Sequence, residues 1–185
     1  AVKALLDAAE KDFDRVRVID DDLHPWLAGA AIGAERFVKL VLGFALLDRD
    51  GRRPGDEIVK AGHKIMVIEA RCRDIVSAQV GRATQPKFIR SLLSDIDADP
   101  WMAPLLEVLE CFADQGRYEH ADVVAGRAPK NTPTAQFEAL ELDIAKTHPA
   151  LPHGELDQHL RHLHAVVRVS LRRWRNFYAC AMAHG

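Results

Sequence analysis

PWLAGAAIGAERFVKLVLGFALL, residues 25–47, is apolar over almost its whole length, and only Glu35, Arg36 and Lys39 interrupt it. A helix that is apolar nearly all round belongs inside something, either other helices or a bilayer. Its length alone suits a membrane span. The charges near its midpoint oppose that reading, because each ionisable group at bilayer depth costs about 2.5 kcal/mol or more. Glu35 and Lys39 form an i,i+4 pair in the favourable order, with Arg36 beside them. The stretch therefore reads as a buried bundle helix with one polar strip, expected to face the arginines of the last helix, with Glu35 pairing one of them. Gly29, Gly33 and Gly43 leave room for close neighbours.

The 185 residues suit one domain, residues 1–185, with a single core. A hydrophobic content of 48% rules out a disordered tail, and a net charge of −2 gives no global reason to expect nucleic acid. Cys72, Cys111 and Cys180 are odd in number and far apart, each in an apolar helical context. They read as reduced core thiols of a cytoplasmic protein. The first apolar run is punctuated by Lys3, Asp7 and Glu10, so no signal peptide is expected there.

Around the central stretch the pattern is helical throughout. Leu5, Ala8, Ala9, Phe13 and Val16 keep helical spacing across residues 2–19. Asp20-Asp21-Asp22, before Pro25, suits the first turn of the central helix. DRDGRRPGD (48–56) is a polar turn, and a helix is most secure over 63–80, with Gly62 breaking it from what precedes. Short helices are expected over 87–96 and 105–112, the second opened by Pro104 and ended by Gly116. Residues 125–134 are linker-like, and Thr132-Pro133 resembles a cap and first-turn proline for a helix bearing Phe137, Leu140 and Ile144. No alternating β-branched run is long enough for a strand. The expected fold is all-α, an antiparallel helical bundle with a long C-terminal helix over about 154–183.

That last helix divides into two faces. Leu160, Leu163, Val167, Ser170, Trp174, Phe177 and Ala181 make a seam at alternate spacings of three and four. Arg161, Arg168, Arg172 and Arg175 fall in one stripe opposite, with Arg173 on a flank. Such a stripe either follows a phosphate backbone or shields apolar surface while facing water. The acids on the helix itself, Glu155 and Asp157, lie only near its start.

Spacing excludes several common sites. A Gly-rich phosphate loop, a nucleophile elbow, a Cys-x-x-Cys pair and a His-Glu-x-x-His run are all missing from the chain. His159 and His162 have a useful i,i+3 relation but would need a carboxylate from elsewhere, so neither metal nor cofactor is expected. His63 and His120 read as ordinary polar contacts.

AERFVKLVLGFALL (34–47), a breaker-rich turn and GHKIMVIEA (62–70) together resemble the HEPN superfamily (higher-eukaryote and prokaryote nucleotide-binding) of small α-helical domains. GRYEHADVV (116–124) is similar to that family's Arg-Tyr segment, which adds Arg117 and Tyr118 to the candidate contacts. The resemblance implies a homodimeric helical bundle, commonly a metal-independent ribonuclease of toxin–antitoxin or other defence systems. Arg175-Asn176 looks like the start of the family's catalytic motif. Its histidine, due after four to six intervening residues, is replaced by Cys180, Ala181 and Met182. His184 follows nine residues after Arg175, about 13.5 Å along a straight helix.

Metal-free RNA cleavage needs an imidazole to move the 2′-hydroxyl proton and a cation to stabilise the phosphorane. Three readings follow. The first is a HEPN-like module that binds RNA, a nucleotide or a protein such as an antitoxin, through Arg161, Arg168, Arg172, Arg117 and Tyr118. The second is a ribonuclease using Arg175, Asn176 and His184 across a homodimer interface. The third is a purely structural helical protein. Membrane association is not expected in any of them.

Overall fold

The computed structural model describes residues 2–13, 16, 19–116, 124–126, 131–147 and 156–184. Among them the chain is an all-α bundle. Helix α1 spans Val2–Phe13, α2 Ile19–Asp50, α3 Glu57–Lys60 and α4 Ile65–Gln79, followed by a 3₁₀ turn at Val80–Arg82. Then come α5 (Pro86–Asp97), α6 (Met102–Asp114), α7 (Pro133–Lys146) and α8 (Leu156–His184).

The central stretch is the core of a longer helix than its proline suggests. α2 starts at Ile19, so Pro25 lies inside the helix and not in its first turn. The proline removes one backbone bond, the one to the carbonyl four residues back, and its ring points outward on an exposed position. From Trp26 to Leu46 the helix is buried on two sides, with Leu27, Ala31, Ala34 and Val38 fully covered. α1 returns along it in antiparallel fashion. Phe13 stacks on Trp26 with ring centroids 4.3 Å apart, and Leu6 lies so close to Gly33 that a Cβ there would sit 2.8 Å from it. Close approach at Gly33 is what the sequence called for.

α4 and α8 run parallel to α2, a relation that fixes the site described below. Moving up α2, Glu35 meets His63 at 2.8 Å, the Val38 carbonyl meets the Cys72 thiol at 3.5 Å, and Ala45 shares a cleft with Val76. Phe37 likewise packs on Trp174 and Tyr178, centroids 5.0 and 6.2 Å away, and higher on α2 comes Met182. Both numbers increase together, which is the mark of parallel helices. Parallel neighbours need a returning connection. Residues 51–64 supply it, turning at Gly51 (φ +65°), packing Ile58 on Gly43 and breaking again at Gly62 (φ +61°) before α4.

α5 runs back down α8, so antiparallel pairs flank the parallel trio. Phe88 faces His184 at one end, while Asp99, just past α5, reaches Ser170 and Arg173 at the other. The α8 seam read from spacing is buried along its whole length, from Leu160 through Ala181. Tyr178 and Leu171 extend it. α7 begins as expected: Pro133 opens it and the Thr132 hydroxyl accepts the Ala135 amide at 3.1 Å. Gly116 follows α6 with no room for a side chain, since a Cβ would lie 2.6 Å from the Phe112 ring. Among the described residues no helix is long and apolar enough to cross a membrane.

Candidate functional site

Two of the four stripe arginines of α8, Arg172 and Arg175, are engaged by α1. Because α1 runs antiparallel to α8, Glu10 lies opposite Arg172 and Asp7 opposite Arg175. Arg175 Nη1 donates to Asp7 Oδ1 at 2.8 Å and lies 3.0 Å from Glu10 Oε1; Arg172 Nε donates to Glu10 Oε2 at 2.9 Å. Leu6 and Ala9 are buried, and the neighbouring acids are thereby aimed along the seam at α8. Searching α8 alone for counter-charges misses them; the signal was the Asp7–Glu10 pair at i,i+3 beside those apolar positions. Arg173 Nη1 donates to Asp99 Oδ2 at 3.2 Å. Arg161 is exposed and Arg168 half-buried.

The residues named for catalysis are not gathered at one point within the chain. Asn176 is exposed. The void beside Arg175, between Leu6, Ala30 and Trp174, measures about 10 Å³. His184 ends α8, where its carbonyl accepts from the Thr84 amide at 2.7 Å and the Thr84 hydroxyl at 3.1 Å, and its ring faces Phe88. Arg117, Tyr118 and His120 lie outside the described residues. His159 bonds to Glu141 at 2.8 Å, and among the described residues no cluster of ligand side chains is able to hold a metal ion.

The polar strip of α2 differs from expectation. Glu35 does not meet the arginines of α8: its carboxylate takes Lys39 at 2.7 Å on one oxygen and His63 Nδ1 at 2.8 Å on the other. Phe37, two residues and about 200° round α2, is the side chain that packs on α8, so Glu35 faces elsewhere, where segment 51–64 brings His63 to it. Burial alone would raise the Glu35 pKa, but the hydrogen bonds from Lys39 and His63 outweigh it and hold the carboxyl below its usual range. His63 is thus an ordinary satisfied contact.

A second polar knot lies deeper. Glu69, buried on α4, accepts Arg73 at 2.6 Å and the Tyr178 hydroxyl at 2.9 Å, while Arg73 also reaches Asp97 of α5. Burial pushes the Tyr178 hydroxyl far above its usual pKa, and Glu69 beside it adds to the shift. The Cys72 thiol is pushed up to about 12, first by burial. Such a thiol stays protonated and inert. All three cysteines are free.

Among the described residues a larger cleft lies elsewhere, at the C-terminal end of the parallel trio. The last turns of α2, α4 and α8 line a cleft of about 910 Å³, walled by Val41, Phe44, Leu47, Val76, Ile89 and Met182. Ala45, Ala83, Ala179 and Ala183 leave its floor low. Asp48 and Arg82 are the charged members of its lining. This size falls within the range of small-molecule sites. It could not be read from the sequence because it is made by three helix ends assembling, and no local pattern marks it. No family model, curated protein or solved structure gives a significant match to this chain.

Proposed function

We propose that the chain is a non-cleaving, HEPN-like helical binding protein. The observation that carries this reading is the state of Arg175. Its guanidinium is occupied by Asp7 and Glu10, and only 20% of its side chain is exposed. Transition-state stabilisation needs a cation aimed at open space where charge develops, not one neutralised in advance by two carboxylates. RNA or nucleotide contact through α8 then falls first to the exposed Arg161, with Arg168 half-buried and Arg172 half-neutralised by Glu10. A protein partner, a second copy of the chain among them, is the other occupant this reading admits, and a defence or toxin–antitoxin role rests on the sequence resemblance.

Purified protein incubated with labelled RNA in chelator tests it. No cleavage is expected, and His184→Ala behaves as the parent does. Weak binding with a shallow salt dependence is expected, since few phosphates are neutralised. Cleavage that disappears in both Arg175→Ala and His184→Ala would establish the composite ribonuclease instead.

A further inference from the structure

The cleft at the ends of α2, α4 and α8 holds an electrostatic arrangement that the arginine face does not use. The final carbonyls of a helix lack intrahelical partners, so each C-terminus carries roughly half a negative charge. Three such ends open on this one cleft. Thr84 takes up the His184 carbonyl, Gly51 that of Leu47, and Ala83 that of Val80 in the 3₁₀ turn after α4. Asp48 then adds a full carboxylate within the last turn of α2, the place where helix polarity most disfavours an acid.

Its neighbour Asp50 is neutralised by a bidentate bond from Arg49, at 2.7 and 2.9 Å. Asp48 has no hydrogen bond or ion pair among the described residues. One turn earlier, Phe44 also lines the cleft and stays 51% exposed. The i,i+4 spacing puts ring and carboxylate on the same face of α2. An aromatic face beside an unpaired carboxylate, set in apolar walls, suits a single positive charge on an apolar body, with the exposed Arg82 as the opposing charge of the lining. The ring quadrupole and the carboxylate attract the charge, and Val41, Ala45, Val76 and Met182 take the body. Arg82 is the cation of the lining and opposes positive charge placed near it, which limits the ligand to one such charge held at the Asp48 end.

We propose that this cleft binds a small amphiphilic monocation, an alkyl or aryl chain ending in one ammonium group. From Val41 to Asp48 the α2 wall is about 10.5 Å long, which suits a chain of roughly eight to ten carbons. The proposal stands independently of how the chain treats RNA.

Titration calorimetry on the whole chain tests it with n-decyltrimethylammonium, decanol and decanoate, each below its micellar concentration. The cation binds at one site, decanol binds about fivefold more weakly, and decanoate does not bind. Asp48→Asn and Phe44→Leu each weaken the cation about two- to fivefold and leave decanol unchanged. Ala183→Phe, which fills the floor from an exposed position, abolishes binding of both. Since Phe44 and Asp48 are exposed, a thermal melt of each variant checks that the fold is retained. The proposal is overturned if no cation binds, if decanoate binds as tightly, if Asp48→Asn leaves the cation's affinity unchanged, or if binding survives Ala183→Phe.

Discussion

The Tyr178 hydroxyl donates to the buried Glu69 carboxylate at 2.9 Å, and this bond ties the last helix to α4 across the centre of the bundle. Glu69 is charged, buried and shared with Arg73, so the removal of a donor leaves part of its hydrogen-bonding capacity unmet. Tyr178→Phe keeps the ring that packs on Phe37 and Trp174 and deletes only the hydroxyl. A loss of about 1–3 kcal/mol in denaturant unfolding is expected.

The same tyrosine gives the chain an alkaline limit. Its folded pKa is raised above the unfolded value, so its contribution to stability is complete below about pH 10 and is lost as pH rises beyond that. Absorbance at a phenolate wavelength checks this. The Tyr178 signal appears together with unfolding, not before it, and Tyr178→Phe flattens the alkaline fall in stability. A smooth titration of Tyr178 near pH 10 in folded protein would contradict the burial seen here.

Glu35 sets a limit on the acid side. Its folded pKa is lowered, so the stability it contributes is present above the unfolded value near 4.3 and is lost as pH falls through the folded one. Denaturation midpoints measured from pH 3 to 6 should show this loss, and Glu35→Gln should remove that part of the slope. His63→Ala removes one of the two bonds that depress the pKa and raises it towards its ordinary value. An unchanged acid slope in Glu35→Gln would mean that other carboxylates dominate.

Much of this fold is legible in the chain, and the reasons are local. The α8 seam, the Thr132 cap, the break at Gly62 and the buried central helix each follow from spacing or from one residue's backbone chemistry. What escaped the sequence is relational. The parallel course of α2, α4 and α8 depends on the path of residues 51–64, and no periodicity encodes a path. The charge balance of α8 depends on which face of α1 arrives beside it. The start of α4 shows the same limit: its flanking Lys64 gives no side-chain cap, and the Met66 amide is met instead by Glu110 of α6 at 2.7 Å. A capping motif within the segment would have been visible, whereas a carboxylate borrowed from 44 residues away was not.

Asp7 and Glu10 make the arginine face a test of assembly as well as of function. Glu10→Gln frees part of Arg172 and Arg175 together, because one carboxylate serves both. A double-mutant cycle between Glu10→Gln and Arg175→Gln is expected to give a coupling of about 1 kcal/mol at low salt, falling as salt rises. Glu10→Gln should also steepen the salt dependence of any RNA binding, because Arg172 regains the capacity to neutralise phosphate while Asp7 still holds Arg175. If RNA affinity stays the same while the coupling is present, α8's arginines serve packing between α1 and α8 alone.

Asp48 carries the sharpest opposition between stability and binding in the molecule. It is an exposed acid in the last turn of α2, at the end of the helix where negative charge is unfavourable, with no described partner to offset it. Asp48→Asn keeps the size of the side chain and removes the charge. The variant is expected to be more stable by about 0.3–1 kcal/mol at low ionic strength, with the gain shrinking in high salt. Thermal melts with and without n-decyltrimethylammonium separate the two effects: the cation raises the midpoint of the parent more than that of Asp48→Asn, while the unliganded order is reversed. If the variant melts lower than the parent without ligand, Asp48 is supporting the fold through a contact of its own, and its place in the cleft needs no ligand to explain it.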